Sequence, residues 1–138
     1  MIAYLDSSVI LRIVLGQPNT LKEWRSIARG VASALVEVEC LRTLDRLRLA
    51  EGLEDVEIAV RRESVYRIVE AVEIVEVTRP VLSRASNPLG ATLGTLDAIH
   101  LATALLWRDH NAADVVMATH DEALAIAARA SGLRVIGV

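Results

Sequence analysis

Short, almost continuous apolar runs alternate along this chain with longer stretches in which apolar positions recur every three or four residues. Ile2-Ala3-Tyr4-Leu5 is the first such run, bounded by Asp6, and reads as a strand buried on both faces. Ser7 to Leu15 reads as a short apolar helix halted by Gly16-Gln17-Pro18. Asn19 or Thr20 is suited to cap a second helix reaching about Arg29, Val31-Ala32 forms a short strand, and Ser33 caps a helix running to about Ala50. After Gly52 a long helix is predicted from about Leu53 to Val72, in which Val56, Val60, Tyr66 and Val69 supply an apolar face among Glu57, Arg61, Arg62 and Arg67.

The second half continues the alternation. Ile74 to Val77 reads as a strand, Pro80 fits the first turn of a short helix, and Asn87 to Gly94 is a loop without periodicity. Thr95 caps a helix containing Leu96 to Leu105, Val115 to Ala118 is a strand followed by Thr119-His120-Asp121, a helix runs from Glu122 to Ser131, and Arg134 to Val138 is a final strand. Strands separated by helices require crossover connections, so the pattern predicts a three-layer α/β/α fold with a mainly parallel central sheet. With 138 residues and no linker, repeat or low-complexity tract, residues 1–138 are expected to form one domain.

Composition narrows the picture. Hydrophobic residues make up 53% of the chain and mean hydropathy is +0.39, yet no run approaches the roughly 20 apolar residues that a membrane-spanning helix needs. No secretory pattern precedes the first strand, so a cytoplasmic location is expected. The single cysteine, Cys40, occupies a helical apolar position and reads as a small buried hydrophobe. A net charge of −3 argues against binding nucleic acid through bulk positive potential, so any such contact is local. Aromatic residues are sparse and phenylalanine is absent, which excludes an extended base-stacking platform.

Ligand sites in open parallel sheets gather beyond the carboxyl ends of the strands. Asp6 directly follows the first strand, Asp121 follows the Val115–Ala118 strand, and Asp97 lies in the first turn of an otherwise apolar helix. Each alone is explained as a cap or a dipole partner. Together they form a carboxylate cluster of the kind tolerated with a cation, and hard oxygen ligands favour magnesium or manganese. Hydrolysis of a phosphodiester is the chemistry such a site serves. There is no glycine-rich phosphate loop or metal-spaced His/Cys set, and no lysine follows Lys22, as phosphatase and phosphoacceptor sites would need.

Four segments carry a resemblance. Leu5-Asp6-Ser7-Ser8, Ser33 to Arg42, Leu96-Asp97-Ala98-Ile99-His100-Leu101-Ala102-Thr103-Ala104 and Ala118-Thr119-His120-Asp121 together resemble the PIN-domain family, and within it the VapC-type toxins of toxin–antitoxin pairs. The resemblance implies RNA cleavage at a magnesium or manganese site of four acids, a homodimer, and a small VapB-like antitoxin that blocks the site. Matched by position, the acids are Asp6, Glu39, Asp97 and Asp121, and Ser8 and Thr119 are hydroxyls that support the acids or a bound water. Helical periodicity alone places Glu37, not Glu39, nearer the apolar stripe of Cys40, Leu41 and Leu44, whereas the family spacing selects Glu39. His100, three residues after Asp97, either orients a carboxylate, contacts substrate, or is a buried hydrogen-bonded histidine. Arg42 and Arg46 share the Glu39 face and either meet RNA phosphate or pair with Glu39 or Asp45. The alternatives to a toxin nuclease are a non-catalytic PIN-like binding module and a nuclease of RNA maturation.

Overall fold

The near-continuous apolar character of the short runs follows from a sheet covered on both faces. The structure, a computed structural model, describes residues 1–138. Its five strands are β1 (Ile2–Leu5), β2 (Arg29–Ser33), β3 (Glu73–Val75), β4 (Val115–Ala118) and β5 (Arg134–Ile136). All pair in parallel, in the order β3-β2-β1-β4-β5. The helices are α1 (Ser7–Val14), α2 (Leu35–Glu51), α3 (Asp55–Ala71), α4 (Arg79–Ala85), α5 (Thr95–Asn111) and α6 (Glu122–Ala130). None is long and apolar enough to cross a membrane.

Side-chain alternation along the strands divides the core into two layers. Ala3 and Leu5 of β1, with Ala32 and Ala118, pack against Val9, Ile10, Val36, Cys40, Leu44 and Val65 of α1, α2 and α3. Tyr4, Val31, Val115 and Met117 point the other way, onto Leu101, Leu105, Leu124 and Ala128 of α5 and α6. Helices therefore cover both faces, giving the expected three-layer α/β/α arrangement. The strand order runs outward from β1 through β2 to β3 on one side and through β4 to β5 on the other. The carboxyl ends of β1 and β4 thus flank the point where such sheets open a crevice.

Three local expectations are corrected. The helix expected from Asn19 or Thr20 to Arg29 is absent: only one 3-10 turn, Trp24–Ser26, forms there. Asn19 sits at a left-handed φ of 59°, Leu21 is buried against β-sheet residues, and the backbone N–H of Ala28 donates to Met1, drawing the segment into line with β1. A continuous helix would carry Leu21 out of that core. Thr95 is the first helical residue of α5 rather than its cap, a place taken by Gly94. On α3, Val56, Val60 and Tyr66 are exposed, Val65 is the buried residue and Val69 packs partly against the core, so only the carboxyl end of the predicted apolar face meets it. The α2–α3 hairpin itself forms, with Gly52 in the left-handed conformation closing α2.

Candidate functional site

Four helices begin around the crevice, and each brings one acid to it. Asp6 is the N-cap of α1, where its side chain accepts from the backbone N–H of Ser8. Asp121 is the N-cap of α6, with Oδ1 accepting from the Leu124 N–H at 2.8 Å. Asp97 lies in the first turn of α5, and Glu39 in the second turn of α2. The partial positive ends of these helices offset the gathering of negative charge that the topology imposes.

Asp6 is almost wholly buried and tied to both central strands. Its backbone N–H donates to the carbonyl of Ala118 at 3.1 Å, which stitches the end of β1 to the end of β4. Its Oδ2 accepts from Ser8 Oγ at 2.5 Å and from Thr119 Oγ1 at 2.9 Å. The same two hydroxyls hold the opposite loop: the His120 N–H donates to Ser8 Oγ at 3.0 Å, and the Asp121 N–H donates to Thr119 Oγ1 at 3.0 Å. Ser8 and Thr119 therefore lock the Asp6 and Asp121 segments together. β5 closes this loop from outside, since the Thr119 N–H donates to Ile136 and His120 Nδ1 bonds the Gly137 carbonyl at 2.6 Å. Gly137 has φ of +103°, and a Cβ there would lie 2.4 Å from the Thr119 carbonyl oxygen, so only glycine lets the strand end approach.

The four carboxylates differ in what they leave free. All the protein donors to Asp6 go to Oδ2, and Asp121 receives its donor at Oδ1. Asp6 Oδ1 and Asp121 Oδ2 thus have no hydrogen-bond donor, and Asp97 has none at either oxygen. The Asp97 carboxyl is raised above the ordinary carboxylate range, first by burial and then by the charges of Asp121, Asp6 and Glu39, against the opposing pull of His100. Glu39 is held at both oxygens, Oε1 by His100 Nε2 at 2.5 Å and Oε2 by Ser7 Oγ at 3.3 Å. Glu37 points to solvent.

His100 is fully buried between these acids, with Nε2 also 4.0 Å from Asp6 Oδ1 and Nδ1 2.8 Å from the Tyr4 hydroxyl. Burial draws its pKa down, but the hydrogen bond to Glu39 and the charges of Glu39, Asp6 and Asp97 outweigh that and raise it. Sequence reasoning left three roles open for His100 and did not single out Tyr4 or Ser7. The signal for Tyr4 is its place two residues before Asp6, on the strand face that meets α5.

Arg42 and Arg46 are exposed and line, with Ser7, Val38, Glu39, Thr43 and Leu96, an open groove of about 350 Å³. Neither pairs with a carboxylate: Glu39 is engaged by His100, and Asp45 pairs with Arg48 at 3.3 Å. Arg46 donates to Thr43 Oγ1 at 2.9 Å. The groove therefore offers two unpaired guanidiniums one helical turn apart, beside the acids.

As their side chains stand, no three acidic or histidine residues enclose an ion by themselves. Magnesium is commonly held through one or two carboxylates, with water filling its other positions, so an open rim suffices. The undonated oxygens of Asp6, Asp97 and Asp121, and the burial and neighbouring negative charge that raise Asp97, fit a hard divalent cation.

A three-layer α/β/α fold with an acidic crevice at the ends of its central strands is thus defined. A family model described as PIN domain matches residues 3–130. Ribonuclease VapC46 of Mycobacterium tuberculosis is 33% identical over 137 aligned positions, covering 96% of this chain and 95% of that protein. Ribonuclease VapC35 of the same organism is 33% identical over 138 positions, covering 96% and 94%. Among solved structures, a chain of a toxin–antitoxin complex from Klebsiella pneumoniae matches with a TM-score of 0.66, covering 89% of this chain and 90% of that chain at 15% identity, a likeness of fold. The chain belongs to the PIN-domain family.

Proposed function

We propose that this chain is a VapC-like toxin, an endoribonuclease that hydrolyses RNA phosphodiester bonds with the help of magnesium or manganese. The observation that carries the reading is the convergence of Asp6, Glu39, Asp97 and Asp121 on one crevice from four helix starts. Family membership and the ribonuclease VapC relatives support the substrate class. The four acids would hold the ion, which when bound lowers the pKa of a water and stabilises charge developing on the phosphate.

The chain's own groups do the rest. Ser8 and Thr119 saturate Asp6 Oδ2 and so keep Oδ1 as its available oxygen. Arg42 and Arg46 hold flanking RNA phosphates in the groove beside Glu39. A VapB-like antitoxin would inhibit the enzyme by occupying the crevice. The working form is a homodimer in the cytoplasm, and the exposed apolar Leu49, Val56 and Val60 supply surface for self-association.

Cleavage of a panel of structured RNAs, with and without magnesium or manganese, tests the reading. The wild-type chain should cut only with metal, and Asp97→Asn should lose at least about 100-fold of the rate, within the range expected when a group acting in the transition state is removed. Metal-independent cutting, or an unimpaired Asp97→Asn variant, would sink the mechanism. A wild-type chain that binds RNA without cutting it under any metal would instead mark a binding module.

A further inference from the structure

We propose that Tyr4 and His100 are positioning residues for Glu39, forming a buried relay that fixes the fourth carboxylate on the rim of the crevice. The inference rests on the reading of Glu39 as one of four metal-holding acids. It starts from a difference among them. Asp6 and Asp121 cap their own helices and accept backbone N–H groups there, and Asp97, on a short side chain, lies in the first turn of α5. Glu39 lies a turn deeper in α2, on a longer side chain with an additional rotatable bond, and no backbone N–H of its helix holds its carboxylate.

What holds it comes from other elements. His100 of α5 presents Nε2 to Glu39 Oε1 at 2.5 Å, and Tyr4 of β1 presents its hydroxyl to the opposite ring nitrogen at 2.8 Å. Both rings are fully buried and meet edge to face, with centroids 6.0 Å apart and planes at 71°. A neutral imidazole accepting from the Tyr4 O–H at Nδ1 must carry its own proton on Nε2, and a charged one carries it there in any case. In both forms the N–H faces Glu39.

The relay also links the elements that bear the acids. Tyr4 lies two residues before Asp6 and His100 three after Asp97, so Glu39 is referenced to the same strand and helix that set its two neighbours. Outer groups of this kind typically govern metal affinity by about 10-fold to 100-fold.

The test is manganese binding by the full chain, followed by electron paramagnetic resonance without RNA. Wild type is compared with His100→Leu, His100→Gln, Tyr4→Phe and Glu39→Gln, with thermal melts confirming that each variant is folded. His100→Leu should weaken manganese binding by about 10-fold to 100-fold. His100→Gln, which keeps a side-chain N–H donor, should recover part of that loss, and the near-isosteric Tyr4→Phe should lose less than His100→Leu. In a Glu39→Gln background, His100→Leu should cost nothing more. Undiminished loss in that background, or no loss in either His100→Leu or Tyr4→Phe, overturns the relay while leaving the metal reading intact. Absence of manganese binding by the wild-type chain overturns the metal reading, and this role for Glu39 with it.

Discussion

Glu37 and Glu39 stand two residues apart on α2 and meet different surroundings. Glu39 is held by His100 and Ser7, whereas Glu37 lies at the mouth of a shallow groove with Arg42, Asp45 and Arg62. Glu39→Gln should therefore weaken metal-dependent RNA cleavage by at least about 10-fold, the loss expected even of a residue that only supports a ligand. Glu37→Gln should leave it unchanged, and the assignment of the fourth acid fails if cleavage assays rank the two variants the other way. The placement of Asp6, Asp97 and Asp121 at one crevice was legible in the sequence because each abuts an element boundary, and boundaries are written in local pattern. Glu39 was not legible from periodicity. Both glutamates flank the stripe of Val36, Cys40 and Leu44, and a helical wheel cannot tell which flank overlooks the carboxyl edge of the sheet. Nor could local pattern join Tyr4 to His100 across 96 residues of chain.

At the level of elements, strands and most helices were readable because near-continuous apolar runs, helical periodicity and the glycine and proline breaks between them mark them, although the caps expected at Ser33 and Thr95 fall on Ala34 and Gly94. Only part of the predicted α3 face reaches the core, for a physical reason. A helix that docks along one edge of α2 and α1 buries a narrow line of residues, and in α3 Val65 is fully buried with Ile68, Val69 and Val72 packed partly beside it. Val56, near the amino end, is 74% exposed and contributes apolar character without joining the chain's own core. Val65→Ala should destabilise the fold by about 1.5–3 kcal/mol, the value of burying such a side chain. In the monomer, Val56→Ala should stay within about 0.5 kcal/mol of wild type. Urea unfolding midpoints compare the two, and equal effects would contradict this packing. The missing helix before β2 has a similar origin. Its local propensity was real, but the tie between Ala28 and Met1 and the burial of Leu21 constrain the backbone first.

For the whole molecule, the sole thiol is a gauge of global opening. Cys40 is fully buried, and its pKa is pushed up to about 12, first by that burial and then by the charges of Glu39 and Asp6. The folded-state value lies above the ordinary thiol value of about 8.5. The associated stability is therefore complete below that pH and is lost as pH rises from there toward about 12. Alkylation of the native chain at neutral pH should be slow and should track unfolding, becoming fast in denaturant. Cys40→Ala should lessen the alkaline loss of stability, whereas fast labelling of the native chain would refute its burial. The first acid stands at Asp6, the last at Asp121, and the loop bearing the last is fastened from outside by Ile136 and Gly137. Asp121 is therefore only as well placed as the strand end that fastens its loop, and a change at Ile136 or Gly137, far along the chain, would loosen that acid.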